Sequence, residues 1–129
     1  MSYSKINLED VKDLAAAHGV GDVQEARFPA GDLGVEQTGF NYFKVKPGKR
    51  EAFAHRHENA EEVVVVLEGA GRMKIDDEIV EIGPKDCLRI APGTARQTEA
   101  GPEGLTLLVF GARHEGDGEI IAAEEFWAD

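Results

Sequence analysis

Apolar positions along the chain fall into two regimes. In the first, Leu8, Val11 and Leu14 recur at helical spacing behind Asn7, a residue suited to an N-cap, and Gly19 offers a stop. A short N-terminal helix is expected there, with His18 in its last turn explained by the helix dipole and solvent. From Phe28 onward the apolar runs are short and are cut by turn residues. These fall at Pro29-Ala30-Gly31-Asp32, Pro47-Gly48, Gly69-Ala70-Gly71, Asp76-Asp77, Gly83-Pro84, Pro92-Gly93 and Gly101-Pro102. Turn signals at such intervals predict many short strands, and so an all-β barrel or jelly roll. No linker or repeat interrupts the pattern, which divides a single domain into an N-terminal segment (1–27), a barrel (28–112) and a tail (113–129).

Two of the expected strands, Val63-Val64-Val65-Val66-Leu67 and Leu105-Thr106-Leu107-Leu108-Val109-Phe110, are apolar on both faces. If Glu62 points into the barrel, Val64 and Val66 join it, and Val63, Val65 and Leu67 need cover outside. A homodimer is the expected cover, with the N-terminal segment or the Phe126-Trp127 end as the competing explanation. In Phe40-Asn41-Tyr42-Phe43-Lys44-Val45 parity leaves two inner faces open, Phe40, Tyr42 and Lys44 or Asn41, Phe43 and Val45. Asp76-Asp77-Glu78 reads as hairpin turn chemistry, and Arg113-His114-Glu115-Gly116-Asp117-Gly118 as a polar surface turn.

The chemistry concentrates in His55-Arg56-His57-Glu58-Asn59-Ala60-Glu61-Glu62. Histidines one residue apart point to the same side of a strand, so their imidazoles can converge. A reversal through 58–61 would bring the Glu62 carboxylate across to them. Two His and one carboxylate form a facial set that suits Fe(II) and related ions with positions left open. The plainer alternative is a solvated strand face with ordinary surface charge.

Composition narrows the partners. Acidic residues outnumber basic ones 25 to 14 in 129 residues, for a net charge of −11, which argues against nucleic acid and anionic membrane. The single cysteine, Cys87, excludes an internal disulfide framework and is expected to be a small packed residue on the outer face of its strand. No transmembrane stretch or signal peptide is evident, so a cytoplasmic protein is expected.

From residue 43 to residue 110 the chain resembles the cupin superfamily, in particular its small single-domain conserved-barrel members. Pro47-Gly48, six residues, His55-x-His57, four residues, Glu62, six residues and Gly69 match the first family motif with one residue inserted after the glycine. Asp86-Cys87-Leu88-Arg89-Ile90-Ala91-Pro92-Gly93-Thr94-Ala95-Arg96 resembles the second motif. The resemblance implies a double-stranded β-helix and a metal held by His55, His57 and Glu62, with Fe, Mn, Ni or Zn as the candidate ions. Where metal-binding members of the family usually carry a further histidine, this chain has Arg96. A guanidinium cannot ligate a cation, and if it points inward it competes for Glu62. Gln97 would face the other way.

Two functional readings follow. In the leading one, a barrel pocket binds a divalent metal and a small polar or anionic metabolite, with Arg96 and Tyr42 as substrate contacts and oxygenase, isomerase or lyase chemistry at the ion. In the alternative, Arg96 pairs with Glu62 and the protein is a metal-free binding or sensory module.

Overall fold

The computed structural model describes residues 2–112, 117–121 and 126–127. The N-terminal helix is in two pieces. Asn7 caps a single 3-10 turn, Leu8–Asp10, by accepting from Glu9 N. Val11 and Lys12 then leave the helix, and Asp13 caps a second turn, α1 (Leu14–Ala17). The break arises because Asp13 also bridges to Arg27, its Oδ1 accepting from both Ala15 N and Ala26 N at 3.0 Å. Helical spacing alone does not reveal a cap shared with a strand.

The strands are β1 (Gln24–Arg27), β2 (Thr38–Val45), β3 (Ala54–His57), β4 (Glu62–Ile75), β5 (Glu78–Ile82), β6 (Cys87–Ile90), β7 (Arg96–Ala112) and β8 (Gly118–Ile121). A short helix, α2 (Ala30–Leu33), replaces the turn expected at Pro29-Ala30-Gly31-Asp32. All pairings are antiparallel, running β1-β2-β7-β3-β8, with β4 joined to β5, β6 and β7. The sheet curls into the jelly-roll barrel expected. Strands β1 and β8 lie outside 28–112, because β1 extends the sheet beyond β2 and β8 supplies the free edge of β3.

Parity fixes what faces inward. Val45, Val64, Val66, Met73, Ile90, Leu105 and Leu107 form the core, each under 4 % exposed, while Val63, Leu67 and Phe110 are 39 %, 42 % and 38 % exposed. Phe40 lies against Phe110 on that outer face, ring centroids 5.8 Å apart. The Phe126-Trp127 end is elsewhere: the Trp127 indole N–H donates to Gln97 Oε1 at 2.5 Å, and its ring lies 4.2 Å from the Arg50 guanidinium. Cys87 faces outward as its parity requires, but it is exposed rather than packed, because among the described residues β6 pairs only with β4. Among the described residues no helix is long and apolar enough to cross a membrane.

The long β4–β7 pairing slips register between Val66 and Glu68 and again between Gly69 and Gly71. Gly69 has φ +78°, and a Cβ there would run into the carbonyl oxygen of Gly104. Gly69→Ala therefore combines a left-handed backbone with a backbone collision. It is expected to cost roughly 3–5 kcal/mol, read as a lowered urea midpoint at unchanged m-value.

Candidate metal centre

Three strands bring the site together. His55 and His57 extend from β3 on one face, and His55 stands directly opposite Arg96, the first residue of β7. Glu62 opens β4, paired with Ile90 and Gly111 and 7 % exposed. Asp76, in the β4–β5 hairpin, fixes the approach to Arg96: its N–H donates to Ala95 O at 2.8 Å and its Oδ1 accepts from Ala95 N at 3.0 Å. The turn reading of Asp76-Asp77-Glu78 agrees with this.

The ligand-type atoms of His55, His57 and Glu62 all lie within 4.8 Å of one another, so this group could hold a metal ion. His57 Nε2 is 3.5 Å from Glu62 Oε2, and His55 Nε2 is 3.9 Å from Oε1. The two imidazole rings stand nearly perpendicular, centroids 5.2 Å apart. They border an inner cavity of about 40 Å³ that Glu51, Arg96 and Asn41 also line. That volume is enough for an ion or a water molecule.

Arg96 is 3 % exposed and points inward. Its Nη2 donates to Glu62 Oε1 and its Nη1 to Thr94 O at 3.0 Å. The carboxylate is thereby divided. Oε1 accepts from the guanidinium, and Oε2 is turned to His57. The donor set fits a divalent ion through two imidazoles and one carboxylate oxygen, since Arg96 takes the other oxygen and leaves that one available.

Burial, helped by the neighbouring charges of Arg96 and His57, drives the His55 pKa down to about 3, so its imidazole is neutral across ordinary pH. Metal ligation requires that form. His57 is oriented from behind by Asp117, whose Oδ2 lies 3.7 Å from Nδ1. Asp117 belongs to the stretch read as a polar surface turn, yet it is 8 % exposed. It accepts from Asn59 N, Asn59 Nδ2 and Ala60 N, which fastens the 58–61 reversal to β8. Burial pushes its pKa upward, but these hydrogen bonds and the His57 charge outweigh it and hold the carboxyl below its ordinary value. A carboxylate behind a histidine is a common support for a metal-facing imidazole. His114, from the same stretch, lies outside the described residues.

Two further residues were not legible in the sequence. Strand β2 turns Asn41 and Phe43 toward the histidines, which resolves the open parity. Tyr42 is therefore not brought to the site. It lies on the opposite face, where burial, Glu25 and Glu68 raise its pKa, and Asn41 lines the inner cavity in its stead. Glu51, ahead of β3, accepts from Thr98 N at 2.9 Å and lines the inner cavity. Burial raises its pKa over the opposing effects of Thr98 and Arg96. No spacing rule marks it, because it sits where the first motif is one residue longer. Gln97 faces away, as expected, donating through Nε2 to Glu51 O at 2.7 Å.

Comparison with known proteins agrees with this architecture. The family model described as "Cupin domain" matches residues 41–110. A cupin protein from Bacteroides fragilis superposes with a TM-score of 0.70 at 23 % identity, covering 90 % of this chain and 88 % of that one. The polyketide cyclase RemF from Streptomyces resistomycificus gives 0.74 at 22 % identity, covering 95 % and 87 %. A sugar phosphate isomerase of the cupin superfamily from Silicibacter pomeroyi gives 0.69 at 20 % identity, covering 94 % of each chain. Among curated proteins none matches the sequence. At these identities the likeness speaks for the fold alone.

Proposed function

The chain belongs to the cupin domain family, and on that premise we propose that it is a metal-dependent enzyme acting on a small molecule inside its barrel, with His55, His57 and Glu62 as ligands. The convergence of these three side chains on the inner cavity carries the reading. Fe, Mn, Ni or Zn suits the donor set, and such an ion would polarise a substrate oxygen or a bound water. Arg96 holds Glu62 in place and balances its charge. Glu51, with Oε1 engaged by Thr98 N and its pKa raised by burial, offers its carboxyl group for proton exchange with a molecule seated beside His55. Proton movement beside an electrophilic centre favours isomerase or lyase chemistry over oxygenation.

The Arg96–Glu62 contact supports a second reading, a metal-free binding module in which the guanidinium stands in for the cation. Elemental mass spectrometry of untagged protein separates the two. Near-stoichiometric metal that is lost in His57→Ala is the expected result. No metal after reconstitution with Fe(II) or Zn(II) would favour the binding module. A second copy of the chain is proposed as cover for the outer face around Val63, Leu67 and Phe110.

A further inference from the structure

A larger cavity, about 430 Å³, adjoins the inner one, and Asn41, Phe43, Glu51, His55 and His57 line both. Its size is ordinary for a small-molecule site, which spans roughly 300–1,000 Å³. Its lining is uneven. Asn41, Glu51, His55 and His57 are polar, as are His18 and Gln24 on the side of α1 and β1, while Leu14, Val20, Phe28, Phe43, Phe53 and Ile120 supply the larger apolar part. Phe28, Phe53 and Ile120 are 41 %, 48 % and 67 % exposed, a cluster of large apolar side chains facing solvent around one opening. Phe28 stands edge-on to Phe43, centroids 5.7 Å apart. Gln24, a polar residue deeper in the wall, is already engaged, its Oε1 accepting from Ala52 N at 3.0 Å. The Leu14 wall is fixed in place because Asp13 caps α1 and bonds Ala26 N at once.

Along these walls a ligand rich in hydroxyls would find only His18 and the Gln24 amide as partners, and each hydroxyl buried without one is unfavourable. An alkyl or aryl body would instead cover the exposed apolar mouth. We infer that this site takes an amphipathic small acid or carbonyl compound, with an apolar body lying between the N-terminal segment and β2 and one oxygen-bearing end directed at His55, His57 and Glu51. This rests on the proposed function, and it narrows the small polar or anionic metabolite of the sequence reading.

Isothermal titration calorimetry of the full chain, with and without zinc, against acetate, butyrate, hexanoate and octanoate tests it. Binding is expected to tighten roughly threefold to fourfold per added methylene. Phe53→Asn, an exposed position outside the ligand set, should flatten that series and leave zinc content unchanged. Equal binding of acetate and octanoate, no binding of any acid, or a series that survives Phe53→Asn would each overturn the inference. The last would place the acids on another apolar surface, such as the outer face of β4. Zinc content, measured separately, shows whether the metal reading stands: a methylene series without zinc binding sinks that reading alone, and zinc binding without a series sinks only the inference.

Discussion

Replacing Arg96 with methionine is expected to cost the metal-free protein about 3–5 kcal/mol, because it leaves the Glu62 carboxylate buried and uncompensated. The side chains of the pair are only 4 % and 10 % exposed, so solvent cannot take over from the guanidinium. The double variant Arg96→Met/Glu62→Met removes both charges and should recover most of that loss, since an apolar pair of similar volume packs into the same space. Urea unfolding of the two singles and the double gives the coupling directly. If the double variant is as unstable as the two singles combined, the pair is not a coupled unit. Zinc should rescue the Arg96→Met protein selectively, by supplying the cation it lacks. With histidine at 96, zinc affinity should rise on the order of a hundredfold, because four-ligand sites worth ~10–16 kcal/mol divide to roughly 3 kcal/mol per ligand. No gain would mean that the imidazoles do not converge on one ion.

Acidification should weaken the metal-free protein before its carboxylates begin to titrate. In the unfolded chain His55 takes up a proton near the ordinary histidine value of 6.5, whereas the folded chain resists until about 3, first through burial and then through Arg96 and His57. The unfolded state therefore binds more protons between those limits. The contribution is complete above pH ~6.5 and declines as pH falls through the window, by at most about 1.4 kcal/mol per pH unit and less where solvent reaches the ring. Glu51 acts in the opposite sense. Its folded pKa is raised, so lowering pH protonates it in the folded chain first and relieves the cost of burying it. Asp13, Glu99 and Asp117 are shifted downward, so their contributions are lost only below the ordinary carboxylate range. Over pH ~7 to ~5 the expected pattern is a falling urea midpoint in the parent protein, a rising one in His55→Gln and a steeper fall in Glu51→Gln. A His55→Gln profile that tracks the parent would refute the assignment.

The barrel and the three converging side chains could be read from sequence because each rests on a short-range rule. Strand parity places His55 and His57 together, and it places Val64 and Val66 inside with Glu62. What could not be read depends on contacts between distant segments. Asp117 is a turn residue by composition, but β8 pairs with β3 and brings it behind His57. Glu51 is one acidic residue among 25 until the amide of Thr98, far along the chain, binds its carboxylate. The split of the N-terminal helix has the same origin, since Asp13 serves a helix and a strand together. Cys87 was misjudged because alternation gives a side chain its direction, while burial needs a neighbour on that side.

The histidine strand has a mechanical weakness. Among the described residues, β3 is joined to the body of the barrel by the pair His55–Arg96 and by the Gly93 N–H, which donates to His57 O at 2.7 Å, and on its other edge by the four-residue β8. Free energies of local opening follow the pairing and packing that must be given up. The segment that presents both imidazoles is therefore expected to lose hydrogen-exchange protection before β4 and β7, with their long shared register. Such a local opening would expose the inner cavity from the side of the histidines without breaking the β4–β7 pairing.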